Sequence, residues 1–197
     1  KTEKHYWDEI SPQYEELNSM FYRAVTESRF RDELEKKVGK QFMKIAEYAL
    51  RAFDPCIIEE LKEENRLSSE YTRLLASAKI MFEGEERNLS AMGPFMTAKD
   101  RSVREEASRL YYGFFEENEA RFDELFDKLV SVRHSMALKL GFESFTELGY
   151  IRMMRTDYGA EMVSVFRSQV SEHIVASASK LFERQRRRLG LDSLRYF

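Results

Sequence analysis

Between Gly149 and Gly159 lies the run Tyr150-Ile151-Arg152-Met153-Met154-Arg155-Thr156-Asp157-Tyr158, which gathers two phenols, two guanidiniums and a carboxylate into one short stretch. Guanidinium and phenol groups are fixed donors suited to peptide carbonyls or a terminal carboxylate, so the run fits the edge of a binding cleft. A connector between helices, knotted by pairing of arginine with aspartate, fits the same residues equally well. Tyr150, Arg152, Arg155 and Tyr158 are the candidate cleft residues, and none of them is a catalytic group.

Groups that would perform catalysis are scattered. His5, His134 and His173 lie in different segments, and neither of the last two has a second histidine four residues away, the spacing that aims two imidazoles at one zinc ion. They are expected on helix surfaces or as satisfied core residues. Carboxylate clusters, Glu63-Glu64 and Glu116-Glu117 with Glu119, do acid–base work only where burial drives their pKa values apart, and at this charge density solvated faces are expected. Arg184-Gln185-Arg186-Arg187-Arg188 suits either phosphate or the negative end of a helix dipole, and the dipole is the expected partner. Serine elbows and phosphate-cradling glycine loops are absent from the sequence, so no catalytic residue and no metal ligand is expected in this chain.

These side chains must be carried mainly by helices. Ser11-Pro12 reads as a helix start, followed by Tyr14, Leu17, Phe21 and Val25 on one face. A short helix through Leu34, a break at Gly39 and a helix over Phe42, Ile45, Ala46, Ala49 and Phe53 lead to Asp54-Pro55, where proline ends the pattern. From Pro55 the spacing of Ile58, Leu61, Leu67, Tyr71, Leu74 and Ala78 predicts a long helix ending near Met81. Glycines, Pro94 and alternation around Glu83-Gly84-Glu85 predict a loop or small hairpin up to Thr97. Helical spacing then runs from Asp100 to Met136, interrupted by a polar patch, with Gly141 as a left-handed cap. Ser144-Phe145-Thr146-Glu147 has capping-box spacing and opens a short helix before Gly149. A last helix spans about Ala160 to Gly190. The expected class is all-α, with long antiparallel helices in a multi-helix lobe and one small β-hairpin near residues 80–92. Residues 1–98 are expected to form an N-terminal helical subdomain and 99–197 a second helical segment.

Composition bounds the partners. At 197 residues, with 43% hydrophobic and 34% charged residues and only three prolines, the chain describes a folded helical protein. A net charge of −3 gives no global positive field for nucleic acid or anionic lipid, and no apolar run approaches a membrane span. The charged start, Lys1 to Lys4, leads into no signal-like stretch. One cysteine, Cys56, has no internal disulfide partner, fits a reducing cytoplasm and is expected to be buried. Asn88-Leu89-Ser90 matches a glycosylation acceptor, a tripeptide common by chance. A start without methionine and an end at Arg195-Tyr196-Phe197 read as a segment of something longer.

The wording of several segments resembles one family. Glu64-Asn65-Arg66-Leu67 with Tyr71, Leu74-Leu75-Ala76-Ser77-Ala78-Lys79-Ile80, and Asp100-Arg101 with Arg104 and Ala107 are similar to the N-terminal half of oligoendopeptidase F-type enzymes. Asp127-Lys128-Leu129-Val130-Ser131-Val132-Arg133 with Leu140-Gly141-Phe142 extends the similarity, and Glu147-Leu148-Gly149-Tyr150 through Arg155-Thr156-Asp157-Tyr158 is its most specific part. The resemblance implies a cytoplasmic zinc metallopeptidase of the thimet oligopeptidase-like group that cleaves short peptides in a deep channel. Its zinc site, an H-E-x-x-H helix with a downstream glutamate, belongs to a later part of the family pattern than this chain covers, so zinc is expected in the parent and none bound by this fragment. The implied partners are oligopeptide substrates and the chain's own C-terminal catalytic domain, with a homodimer through a bare apolar patch as a further option. The rival reading is a freestanding helical peptide- or protein-binding module without catalysis.

Overall fold

The computed structural model describes residues 5–195 and Phe197, apart from the side chains of Asp8 and Pro12. Lys1 to Lys4, and Tyr196 of the terminal aromatic pair, lie outside the described residues. Helices dominate: α1 (Ser11–Thr26), α2 (Arg31–Val38), α3 (Lys40–Ala52), α4 (Ile58–Ala76), a hairpin of β1 (Ile80–Phe82) and β2 (Glu85–Arg87), α5 (Leu89–Met96), α6 (Arg101–Glu117), α7 (Glu119–Lys139), α8 (Phe145–Arg152), α9 (Ala160–Gln169) and α10 (Val175–Arg188). The expected all-α class with one small hairpin is what the chain adopts.

Two compact units are interleaved along the chain: residues 1–68 with 126–162, and 69–125 with 163–197. Grouping by contact in space thus cuts the chain differently from the sequence division at residue 98. Both long helices, α4 and α7, contribute to both units.

In the first unit the core gathers Ile57, Met136, Ala137 and Leu148, with Leu61, Leu140, Phe142 and Phe145 packed around them. Partners on α4 and α7 run in opposite order: Lys139 pairs with Glu60 at 2.6 Å, and Arg133 with Glu64 at 2.7 Å. Rising numbers on one helix meet falling numbers on the other, so the two are antiparallel there. Asp54 accepts from the Cys56 N–H at 2.9 Å and caps the turn Pro55–Ile57 that leads into α4. Gly141, at φ +82°, closes α7, with the Phe142 N–H donating to the Ala137 carbonyl at 2.9 Å, as expected of a left-handed cap.

The second unit is built on the hairpin. Glu83 and Gly84, at φ +51° and +80°, form the tight turn whose twist suits two antiparallel strands, and Ile80 pairs with Arg87. Ile80 and Phe82 point inward onto Met92 and Ala107, while Met81 points out. Arg87 lies over the Phe95 ring at 4.5 Å.

Several expectations need correction. Ser11 does not cap α1: a π-turn over Tyr6–Ile10 runs directly into it, so the helical path begins before Ser11. Tyr14, Leu17 and Phe21 of the expected apolar face are exposed. The short second helix covers Arg31–Val38 instead of ending at Leu34. The helix α4 stops at Ala76, because Ile80–Phe82 gains a strand partner in Glu85–Arg87. Part of the expected loop before Thr97 is α5, capped by Asn88, whose Oδ1 accepts from the Ala91 N–H at 2.9 Å. That capping role gives the Asn88-Leu89-Ser90 tripeptide a structural explanation. The last helical stretch contains a π-turn at Val170–Ile174. Among the described residues no helix is long and apolar enough to cross a membrane.

Candidate functional site

The candidate residues fall on the first unit, around α8 and the connector that follows it. Ser144 accepts from the Thr146 N–H at 3.3 Å and starts α8. Glu147, the other half of the expected capping box, instead takes Arg51 of α3 at 2.7 Å. The helix runs through Gly149, which was expected to lie beyond it, so Tyr150 and Arg152 stand on its last turn and only Arg155 and Tyr158 belong to the connector.

Leu148 and Ile151 anchor α8 in the core, and the next position round the helix delivers Arg152 to a buried carboxylate. Glu64 of α4 is only 7% exposed. Its Oε2 accepts from Arg152 at 2.7 Å and its Oε1 from Arg133 of α7 at 2.7 Å, with Phe145 5.7 Å from the Arg133 guanidinium and 5.8 Å from that of Arg152. Burial by itself raises the Glu64 pKa. The hydrogen bonds from Arg152 and then Arg133 outweigh it and hold the carboxyl below its ordinary value. One carboxylate facing two guanidiniums ties three helices together and leaves a positive charge in excess.

α8 ends on a Schellman closure: the Met154 N–H donates to Ile151 at 2.9 Å and the Arg155 N–H to Tyr150 at 3.1 Å. The left-handed position, usually glycine, is Met154 at φ +51°. The Thr156 N–H then reaches the Met154 carbonyl at 3.0 Å, placing Arg155 at the apex of a three-residue turn. Thr156 is buried, and α3 holds it twice: Gln41 Nε2 donates to its Oγ1 at 2.7 Å, and Lys44 Nζ to its carbonyl.

The Arg155 guanidinium sits 4.9 Å from the Tyr150 ring and 5.5 Å from the Tyr158 ring. Those rings are 6.4 Å apart and nearly perpendicular, at 83°. The structure therefore unites Tyr150, Arg155 and Tyr158 and commits Arg152 to Glu64. Neither arginine pairs with Asp157 among the described residues, so the expected arginine–aspartate knot is not what orders the connector.

Sequence reasoning missed Glu64, grouped with solvated clusters, and its partner Arg133. The available signal was spacing: Ile57, Leu61, Glu64 and Leu67 recur at helical intervals, which sets a carboxylate on an apolar face. Cys56 is exposed rather than buried, and the Asp54 carboxylate beside it pushes its thiol up. In the basic run, Arg186 and Arg187 turn back onto Glu183, and Arg186 also donates to the Leu191 carbonyl at 2.8 Å. Those two arginines hold the Glu183 carboxyl down at about 2.

The described residues do not fit a zinc ion. His5, His134 and His173 are exposed on separate segments, His5 lies 3.2 Å from Glu9, and no three His, Cys, Asp or Glu residues group to hold a metal. What the site can do chemically is bind, through guanidinium and phenol groups set by a rigid turn.

Residues 1–53 match the family model described as the peptidase M3 N-terminal domain. No curated protein matches the chain. Among solved structures, an oligoendopeptidase F assignment from Bacillus anthracis str. Ames is 48% identical over 98% of this chain and 36% of its own, with a TM-score of 0.90. PZ peptidase A with an inhibitor is 51% identical over 98% of this chain and 34% of its own, with a TM-score of 0.91. A further structure assigned as oligoendopeptidase F is 50% identical over all of this chain and 35% of its own, with a TM-score of 0.92. The chain thus spans about a third of the length of these solved relatives.

Proposed function

This chain belongs to the peptidase M3 family, among its oligoendopeptidase F-like members, and on that premise we propose that it forms one helical wall of the substrate channel in a zinc-dependent oligopeptidase. The observation that carries the reading is an uncovered apolar ridge. Val165 and Phe166 of α9, Ile174 of the π-turn that follows, and Leu181 and Phe182 of α10 recur at helical spacing, and each is more than half exposed. A contiguous apolar strip of this kind marks a surface made to be covered. Relatives nearly three times as long supply the body that would cover it, and in this reading that body is the C-terminal catalytic domain, which carries the zinc ligands and the general base.

The contribution of this chain is geometric. A rigid wall admits an extended peptide, turns away folded proteins and keeps bulk water from the reacting groups. Tyr150, Arg155 and Tyr158 supply donors along the path of the peptide, and Arg152 holds the wall together through Glu64. A freestanding binding module would also present an apolar ridge; identity near one half to peptidases along almost the whole chain favours the lobe. Cytoplasmic placement follows from the same family reading. Produced alone, the chain should dimerise through the ridge.

Amide hydrogen exchange over residues 163–182 tests the proposal. Protection should rise markedly in the longer polypeptide relative to the 197-residue chain at a concentration where the latter is monomeric. Equal exchange in the two would reject the covered ridge and with it the lobe reading.

A further inference from the structure

We infer that Arg155, held in the corner between Tyr150 and Tyr158, is a subsite for a carboxylate of an extended peptide. The inference deepens the peptidase reading and rests on it for the identity of the ligand, although the geometry is independent of that reading. Several other arginines of this unit are spoken for: Arg31 by Glu47, Arg51 by Glu147, Arg66 by Glu63, and Arg133 and Arg152 by Glu64. Arg155 has no carboxylate within ion-pair distance among the described residues, and its side chain makes no hydrogen bond there.

The two rings, at 4.9 and 5.5 Å, engage the cation through their π-faces, which fixes the guanidinium without using its in-plane N–H donors. The backbone beneath is equally fixed, by the Schellman closure at Met154, the turn at Arg155 and the hold of Gln41 and Lys44 on Thr156. The entropy of ordering a long side chain is thus already met before a ligand arrives. A planar fork of donors matches the two oxygens of a carboxylate, and the Lys44 ammonium, bound to the next residue's carbonyl, adds positive charge nearby. Peptides offer that group at the C-terminus or on Asp and Glu side chains.

The test uses three peptides of one sequence: a free acid, its C-terminal amide, and an amide with one internal Gln replaced by Glu. Cleavage by the longer polypeptide is measured for the wild type, Arg155→Ala and Arg155→Lys, and binding to the 197-residue chain is followed by NMR at the same positions. The wild type should show a KM about tenfold lower for whichever carboxylate the subsite reads, with kcat unchanged. Arg155→Ala should abolish that discrimination, and Arg155→Lys should restore part of it through charge alone. Thermal melts of the variants guard against misfolding, and Tyr158→Leu, which loosens the corner while keeping the charge, should weaken discrimination to an intermediate level. Cleavage without discrimination between acid and amide forms would overturn the subsite while leaving the peptidase reading intact. Carboxylate-dependent shifts at Arg155 without any cleavage would support the subsite and remove the peptidase reading. Neither binding nor cleavage would remove both.

Discussion

Glu64 carries two guanidiniums on one buried carboxylate, and its energetics are open to direct measurement. Glu64→Ala leaves Arg133 and Arg152 without their counter-charge. Because both arginines keep some solvent contact, the expected loss is about 2 kcal/mol rather than the full cost of breaking a sealed pair. Chemical denaturation measures it, and a change below experimental error would show that the triad contributes nothing. The pH dependence has a definite sign. The Glu64 carboxyl titrates below its ordinary 4.5, so its stabilisation is fully present above that value and is lost as pH falls through the lowered one. Glu64→Gln should flatten this acid limb of the stability curve. At Met154 the left-handed backbone carries a Cβ penalty, so Met154→Gly should stabilise the chain by up to about 1 kcal/mol, offset in part by the freedom glycine gains when unfolded. A fall in stability there would mean that the methionine side chain contributes more than its backbone strain costs.

At the scale of elements, α8 is the piece that sets the site, and Leu148 is what seats it. Leu148 is fully buried against Ile57, Met136 and Ala137, so Leu148→Ala should cost about 3 kcal/mol. It should also release Arg155 from its corner, visible as loss of NMR dispersion at Tyr150 and Tyr158. Helix spacing made most elements legible in the sequence, since their apolar positions recur at the helical period. Errors arose where a local rule met a stronger neighbour. Ser11-Pro12 looked like a start, but a π-turn over Tyr6–Ile10 already runs into that helix. Gly93-Pro94 looked like a loop, but the Asn88 cap and a buried Met92 hold a short helix there. In the site, the tyrosines and arginines were readable as a group because they share one short stretch. The division of labour between Arg152 and Arg155 was not, because it depends on Glu64, far away along the chain and brought near only by packing.

For the molecule as a whole, the lobe has rigid binding groups, an apolar ridge, and no set of metal ligands among its described residues. In the proposed reading such a body shapes the space in which another part performs chemistry, and its three histidines are exposed. The most direct test compares hydrolysis of a short fluorogenic peptide by the longer polypeptide and by the 197-residue chain, each with and without a metal chelator. The account predicts cleavage by the longer polypeptide, abolished by chelator and restored by zinc, and no cleavage by the 197-residue chain. Chelator-sensitive cleavage by the 197-residue chain itself would contradict it.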